Sequence, residues 1–323
     1  MTNLTHARRM LMHDEPADEF FPPETTVFLT STISDDELMD YSFADEVRTV
    51  AAFAPDYCLP FDFPVYGDMD EETRMEHIRQ VGGGTLDIAR LFGTDDETGV
   101  ERLADEVGVE PATAAAAREA DTEIVPLIKG TTPAERNVME RVAEEIDASM
   151  IAKYGTQYMT VGGSGNYPEL RRVLKAIGDE TDDHPLILVG LLSPTGKYSL
   201  EGLPDNVIGA AGLNQWRKPV DPANNSPSAM REAYATLDRE VADALGRAIP
   251  YAADEASATE DSPPSAFKRD HTSAVSEDGG EFGAEIAGAV ETPEVYGFGG
   301  RKREREKRGS ESERDDDPAG SVG

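Results

Sequence analysis

Six short runs of β-branched and apolar residues, separated mostly by helical stretches, are the strongest constraint on how this chain can fold. They are TVFLTST (26–32), DYCLPFDF (56–63), EIVPLIKG (123–130), SMIAKYG (149–155), PLILVGLL (185–192) and NVIGAAG (206–212). Several are apolar on both faces, as strands buried in a parallel sheet are. The intervening stretches carry helix signals. TPAERNVMERVAEEID opens with a threonine N-cap and a proline at the first helical position, and its apolar residues recur at helical spacing. YPELRRVLKAIGDE repeats the pattern, and SAMREAYATLDREVADALGRAI reads as a long amphipathic closing helix. This alternation predicts an α/β protein with a parallel sheet. A (β/α)8-type, TIM-like barrel, possible also in incomplete form, suits the order better than an open dinucleotide-binding sheet. The first run ends in TSTISDDE rather than a G-x-G-x-x-G phosphate turn.

The barrel is expected over residues 24–250. Residues 1–23, ending in FFPPE, read as an N-terminal extension or short cap. Residues 251–323 read as a disordered acidic tail, because Ser, Glu, Asp, Gly and Pro dominate there and offer too little apolar surface to offset ordering entropy. The tail contains RKREREKR (301–308), six bases and two acids. That run is either a solvated segment or an arm for nucleic acid or another partner.

Charge narrows the setting more than the activity. The chain has 64 acidic and 30 basic residues, net −34, and only eight of the bases are lysine. Acid-rich, lysine-poor chains are typical of hosts with molar internal salt, where a Debye length of about 3 Å screens carboxylate repulsion. The composition therefore resembles that of a haloarchaeal protein, or one from a virus or plasmid of such a host, and most acidic runs are expected to be solvated surface. The single cysteine, Cys58, excludes an internal disulfide and a cysteine-cluster zinc site. The five histidines show no metal-ligand spacing, so no metal and no cofactor is expected. No apolar stretch reaches the roughly 18 residues of a membrane span. No signal peptide is evident, which makes a cytoplasmic location the default and a membrane partner unexpected. A homo-oligomer is compatible with all of this.

In a barrel, chemistry gathers where strands end. The second run delivers Asp62, the third Lys129 and Gly130, the fourth Lys153. A lysine in an apolar cup can form a Schiff base, which would suit a sugar-phosphate type substrate. The alternative is a lysine that pairs with Asp62 or reaches the rim. VGGSGN supplies Gly162, Gly163, Ser164, Gly165 and Asn166 ahead of a helix, either as a phosphate cradle or as a plain strand–helix turn. GLNQWRK supplies Asn214, Trp216 and Arg217; the only tryptophan either stacks on a base or closes the mouth. VERLADEVGVEPATAAAARE (100–119) resembles a helix-turn-helix, but its second helix offers a DNA groove only Arg118, so an ordinary helical insertion is expected.

In order along the chain, these motifs resemble the tRNA-guanine transglycosylase superfamily, including its DNA-modifying members, whose fold is a (β/α)8 barrel. CLPFDFPVYGDM is similar to the family strand whose Ala-Phe-Asp type ending contacts the bound base, here through Asp62. VPLIKGTTPAERNVMERVAEE resembles the strand that ends in Gln-Gly, with Lys129 in the glutamine's place. YMTVGGSGNYPELRRVLKAI, HPLILVGLL and NVIGAAGLNQWRK follow in family order, so that the resemblance covers about residues 25–220. It implies a purine base or nucleotide, in nucleic acid, as partner, with Asp62 and Lys129 as the acting residues. Two family features are missing: the Asp-Ser-Gly-Gly-Phe motif and the Cys/His zinc appendix. At the nucleophile's place stand Ala211, Gly212 and Asn214, none able to form a covalent ribosyl intermediate. The expectation is a barrel that binds or modifies a purine without the usual base exchange. A non-catalytic interaction protein and a lysine Schiff-base enzyme are the alternatives.

Overall fold

The computed structural model describes residues 1–246, apart from 22–24, 32, 34–37, 39–40, 61, 67, 94–96, 159–165, 192, 197 and 222–223; at 97, 157, 213–216 and 227 it describes the backbone only. All six expected strands form. They are β2 (Phe28–Thr30), β3 (Tyr57–Leu59), β4 (Glu123–Ile124), β5 (Ile151–Tyr154), β6 (Leu186–Val189) and β7 (Val207–Ala211). A seventh, β1 (Thr2–Asn3), lies at the N-terminus and pairs with β2. Residues 1–21 are therefore part of the fold and not only an extension. Helix α1 (Leu4–Leu11) follows β1 directly and buries Leu4 and Ala7 in the core.

Every strand pairing among the described residues is parallel. One sheet runs β1-β2-β3-β4 and the other β5-β6-β7, and a parallel bridge between Leu127 and Ala152 links them. There Ile128 N–H donates to Ala152 O, and Ala152 N–H to Pro126 O, both at 2.8 Å. The strands thus follow one another in space as they do in sequence. Pro126 has no N–H to give the ladder, which keeps β4 short. Neither sheet closes on itself: no pairing joins β7 to β1 among the described residues, so a complete barrel is not what is seen.

The two faces of the array differ. Tyr57, Leu59, Val125, Leu127, Met150, Ala152 and Val189, from the strands and the residues beside them, form a cluster that holds no helix residue. Their alternates, among them Leu29, Cys58, Ile124, Ile128, Ile151, Leu186 and Leu188, point the other way into the helix layer. Helices covering one face of sequentially ordered parallel strands is the layout of a βα repeat wound in one sense. On the helix side lie α3 (Phe43–Phe53), α4 (Glu71–Gly93), α7 (Pro133–Glu145), α8 (Tyr167–Glu180) and α10 (Pro227–Ala244), each contributing buried residues to the two clusters. The short α2 (Ala17–Phe20) adds Ala17.

Local signals fix the helix starts. Thr132 caps α7, its hydroxyl accepting from Glu135 N–H while the Glu135 carboxylate accepts from Thr132 N–H. This capping box satisfies two otherwise orphaned donors. Ser42 and Asp45 do the same for α3. Helix α4 contains Gly82, Gly83 and Gly84, all buried. Glycine in a helix costs about 1 kcal/mol relative to alanine. Here close packing offsets part of that cost, since a Cβ at Gly82 would already lie 3.3 Å from Val142 Cγ2 of α7.

The helix-turn-helix-like stretch forms two helices, α5 (Glu97–Glu106) and α6 (Pro111–Glu119), joined through Gly108 at φ +71°. Val100, Ala104, Val107, Val109, Ala114 and Ala117 are all buried in the core. The second helix is thus spent on packing, chiefly against α3, as an ordinary insertion would be.

Candidate functional site

The segments that follow β2, β3 and β4 converge on one pair of charged side chains, Asp62 and Lys129. The first contributor is the loop after β3. The N–H of Asp62 donates to Ser31 Oγ at the end of β2, at 2.9 Å, and that hydroxyl donates to Leu59 O at 3.2 Å. From α4, His77 Nδ1 contacts Pro64 O at 2.7 Å, and its ring meets Phe63 edge to face with centroids 4.5 Å apart. Arg74 donates to Met69 O at 2.6 Å. The segment is held at both ends although it has no regular structure of its own.

Lys129 leaves the end of β4 on the same side as Leu127. Its Nζ pairs with Asp62 Oδ1 and also donates to Phe63 O at 3.2 Å. The side chains are only 12% and 13% exposed. Of the alternatives open in the sequence, the ion pair between Asp62 and Lys129 is the one that forms.

Lys153 lies elsewhere. On β5, Ala152 faces the cluster that holds no helix residue, while Ile151 and Lys153 face the helices. Lys153 is 1% exposed, and its Nζ donates to Ile128 O and Gly130 O, both at 3.0 Å. Burial lowers its ammonium pKa to about 7; the charges of Lys129 and Arg136 add to this and Glu135 opposes it. A Schiff base at Lys153 does not fit this position, because the amine sits under the first turn of α7 and is closed off from solvent.

The loop between β4 and α7 is the best-supported backbone in the site. The Glu135 carboxylate accepts from Thr131 N–H at 2.9 Å, from Thr132 N–H at 3.0 Å and from Arg74 Nε at 2.8 Å. Burial alone would raise that carboxyl, but the two N–H groups and the guanidinium outweigh it and bring its pKa to about 2. Arg136 donates to Thr131 O at 2.6 Å and grips Glu180 of α8 with two nitrogens, at 2.7 and 2.5 Å. Gly130 sits at φ +84°, where a Cβ would collide with the Glu135 side chain.

Beside this loop opens a cleft of about 530 Å³, lined by Val65, Tyr66, Asp68, Arg74, Gly130, Thr131, Glu135 and Tyr158. Its polar groups and two tyrosines, Tyr66 and Tyr158, could hold a small planar ligand.

Of the other expected site residues, those whose side chains are described are not gathered here. Gly162, Gly163, Ser164 and Gly165 lie outside the described residues. Asn166 is exposed at the N-terminus of α8, where its side chain makes no cap hydrogen bond. Asn214 and Trp216 belong to α9 (Leu213–Val220), their side chains outside the described residues, and Arg217 is exposed on the same helix. Neither Asn166 nor Arg217 lines the cleft. Ala211 ends β7 and Gly212 caps α9, so the strand where the family resemblance would put a nucleophile offers none.

Ser31, Arg74, His77, Glu135 and Arg136 are the site residues that sequence reasoning missed. Only the capping-box pair Thr132 and Glu135 left a signal, three residues apart at a helix start. Among the described residues no group of three or more His, Cys, Asp or Glu could hold a metal ion, and no helix is long and apolar enough to cross a membrane. No protein-family model, curated protein or solved structure matches this chain.

Proposed function

We propose that this chain is a divergent, transglycosylase-like (β/α) barrel protein that binds a purine base or nucleotide at the C-terminal ends of its strands without exchanging it. The observation that carries the reading is the Asp62–Lys129 pair beyond the ends of neighbouring strands; neither residue lines the cleft, but Gly130, the next residue after Lys129, does. A carboxylate beside an ammonium is complementary to guanine. Asp62 can accept from the N1–H and N2–H donors while Lys129 donates to O6, each a charge-assisted hydrogen bond. Ligand entry then replaces the bond between the two side chains with bonds to the base.

The sequential parallel strands, with helices on one face, support the barrel. Ala211 and Gly212 at the end of β7 favour binding over exchange. The acidic body repels nucleic-acid phosphate and molar salt weakens such contacts, so recognition rests on hydrogen bonds and stacking, with the basic run 301–308 as the arm toward nucleic acid.

Titration calorimetry with guanine, GMP and adenine in molar KCl tests the reading. Guanine or GMP is expected to bind more tightly than adenine. Asp62→Asn should weaken that binding by about tenfold to a hundredfold, the worth of one or two hydrogen bonds to a charged group. Equal affinity for the purines, or binding indifferent to Asp62→Asn, would refute it.

A further inference from the structure

In a chain with eight lysines, the first 174 residues contain only Lys129 and Lys153, and the ammonium of Lys153 bonds the main chain from which Lys129 projects. The two carbonyls that Lys153 takes, Ile128 O and Gly130 O, stand immediately before and after Lys129. Lys153 therefore grips the backbone on both sides of Lys129, from the helix face of the sheet. The Lys129 side chain leaves toward Asp62 and Phe63 O.

A fully buried lysine with no carboxylate at hydrogen-bonding distance among the described residues is expensive, and packing alone would be better served by methionine or leucine. Its charged surroundings are specific. Lys129 projects from the loop itself, Glu135 and Arg136 come from the first turn of α7, and Glu180 of α8 stands behind Arg136. Gly130 cannot hold its conformation through a side chain, and its carbonyl is fixed by this ammonium instead.

We infer that Lys153 is a positioning residue: it clamps the main chain on either side of Lys129, holds Lys129 on Asp62, and loosens that hold when it gives up its proton. An ammonium has three donors and a full charge for the two carbonyls, whereas a neutral amine makes weaker bonds to the same pair. The change falls as pH passes upward through about 7. The assignment of a role to Lys129 rests on the reading of the mouth as a base site; the clamp itself does not.

Selective 15N-lysine labelling tests it without any ligand, and eight lysines make the Nζ spectrum readable. In the wild-type chain the Lys129 ammonium, bonded to Asp62, should exchange its protons slowly. In Lys153→Met its exchange should rise about tenfold, the loss of one hydrogen bond's worth of restraint, while Lys175 and the other exposed lysines stay unchanged. Lys153→Arg should restore the slow exchange and remove the added dependence on pH near 7. If Lys129 exchanges equally slowly in a folded Lys153→Met protein, the clamp is refuted. Should Lys153→Met fail to fold, the wild-type titration decides alone: a Lys129 signal indifferent to the titration of Lys153 overturns the proposal. Absence of purine binding, with the clamp signature intact, would remove the base-site reading and leave the clamp standing.

Discussion

The main-chain N–H of Asp62 donates to the hydroxyl of Ser31 at 2.9 Å, so this acid is anchored through its backbone to one neighbouring strand and through its carboxylate, by Lys129, to the other. Ser31 is 1% exposed and directly follows β2, Asp62 follows β3, and Lys129 lies on the segment that continues from β4. Three consecutive strand ends are thus tied together at one point of the mouth. Ser31→Ala removes both the acceptor for Asp62 N–H and the donor to Leu59 O. Leu59 O keeps the Ser31 N–H at 3.0 Å, so one donor is left orphaned rather than two groups. Chemical denaturation in urea should show a loss of about 1–2 kcal/mol. An unchanged midpoint would mean that the hydroxyl does not hold the loop.

The Asp62–Lys129 pair should keep its strength in salt where surface pairs do not. Its side chains are 12% and 13% exposed, against 71% and 68% for Lys175–Asp179 on α8. Ions screen the exposed pair within a Debye length of about 3 Å at 1 M, but reach the buried one poorly. A double-mutant cycle, Asp62→Asn with Lys129→Met, should give a coupling of about 1–3 kcal/mol in molar KCl. The same cycle on Lys175 and Asp179 should give less than about 0.5 kcal/mol. Equal couplings would show that the mouth is as wet as the surface.

The strands were legible because β-branched runs of parallel-strand type stand out between capped helices. β1 was not, since Thr2 and Asn3 form no apolar run and become a strand only by pairing with Leu29 and Thr30. Nothing in the sequence marks α4 as a helix across Gly82–Gly84; tolerance of those glycines depends on Val142 and Met139 of another helix. Asp62 and Lys129 were visible as strand-end charges. That they pair was one of two readings, and long-range geometry decided it. Lys153 was read as a strand-end lysine of the mouth, yet strict alternation places it with Ile151 rather than with Ala152. Arg74, His77 and Arg136 act across 13 to 61 residues of chain, and no local pattern encodes such partners.

Gly130 and Gly196 offer a controlled comparison of strain with collision. Both have positive φ, +84° and +89°, where an L side chain is disfavoured by about 1–2 kcal/mol. Around Gly196 nothing lies within 4 Å of an added Cβ, so Gly196→Ala should cost only that backbone term. At Gly130 the added Cβ meets Glu135, whose carboxylate holds Thr131, Thr132 and Arg74. Gly130→Ala should therefore cost at least about 2 kcal/mol more than Gly196→Ala in urea unfolding, and should alter purine affinity if the cleft is the binding site. Equal costs would mean that the loop relaxes freely and is not pre-organised.

Glu140 and Lys153 oppose each other in the dependence of stability on pH, and a single substitution should expose this. Glu140, 7% exposed on α7, is raised from 4.5 to about 7 by burial and then by its hydrogen bond and charge contact with Glu180. Glu180 is lowered, chiefly by Arg136, and keeps the negative charge of the pair. The folded state therefore holds the Glu140 proton more tightly than the unfolded chain does. The stabilisation this gives is complete below about pH 4.5 and fades as pH rises through about 7. Lys153 runs the other way. Its folded pKa of about 7 lies below the ordinary 10.5, so its contribution is complete above about 10.5 and is lost as pH falls through about 7. Together the two groups place a shallow minimum of stability near neutral pH. Glu140→Gln keeps the shape and the donor of the protonated acid but cannot ionise. It should raise stability by about 1–3 kcal/mol at pH 8 and change little at pH 5. Lys153→Met should flatten the rise between pH 7 and 10. Thermal melts from pH 5 to 10 at constant KCl measure both effects. A Glu140→Gln protein that is less stable at pH 8 would show that the charged carboxylate, held by Arg136, is the native form.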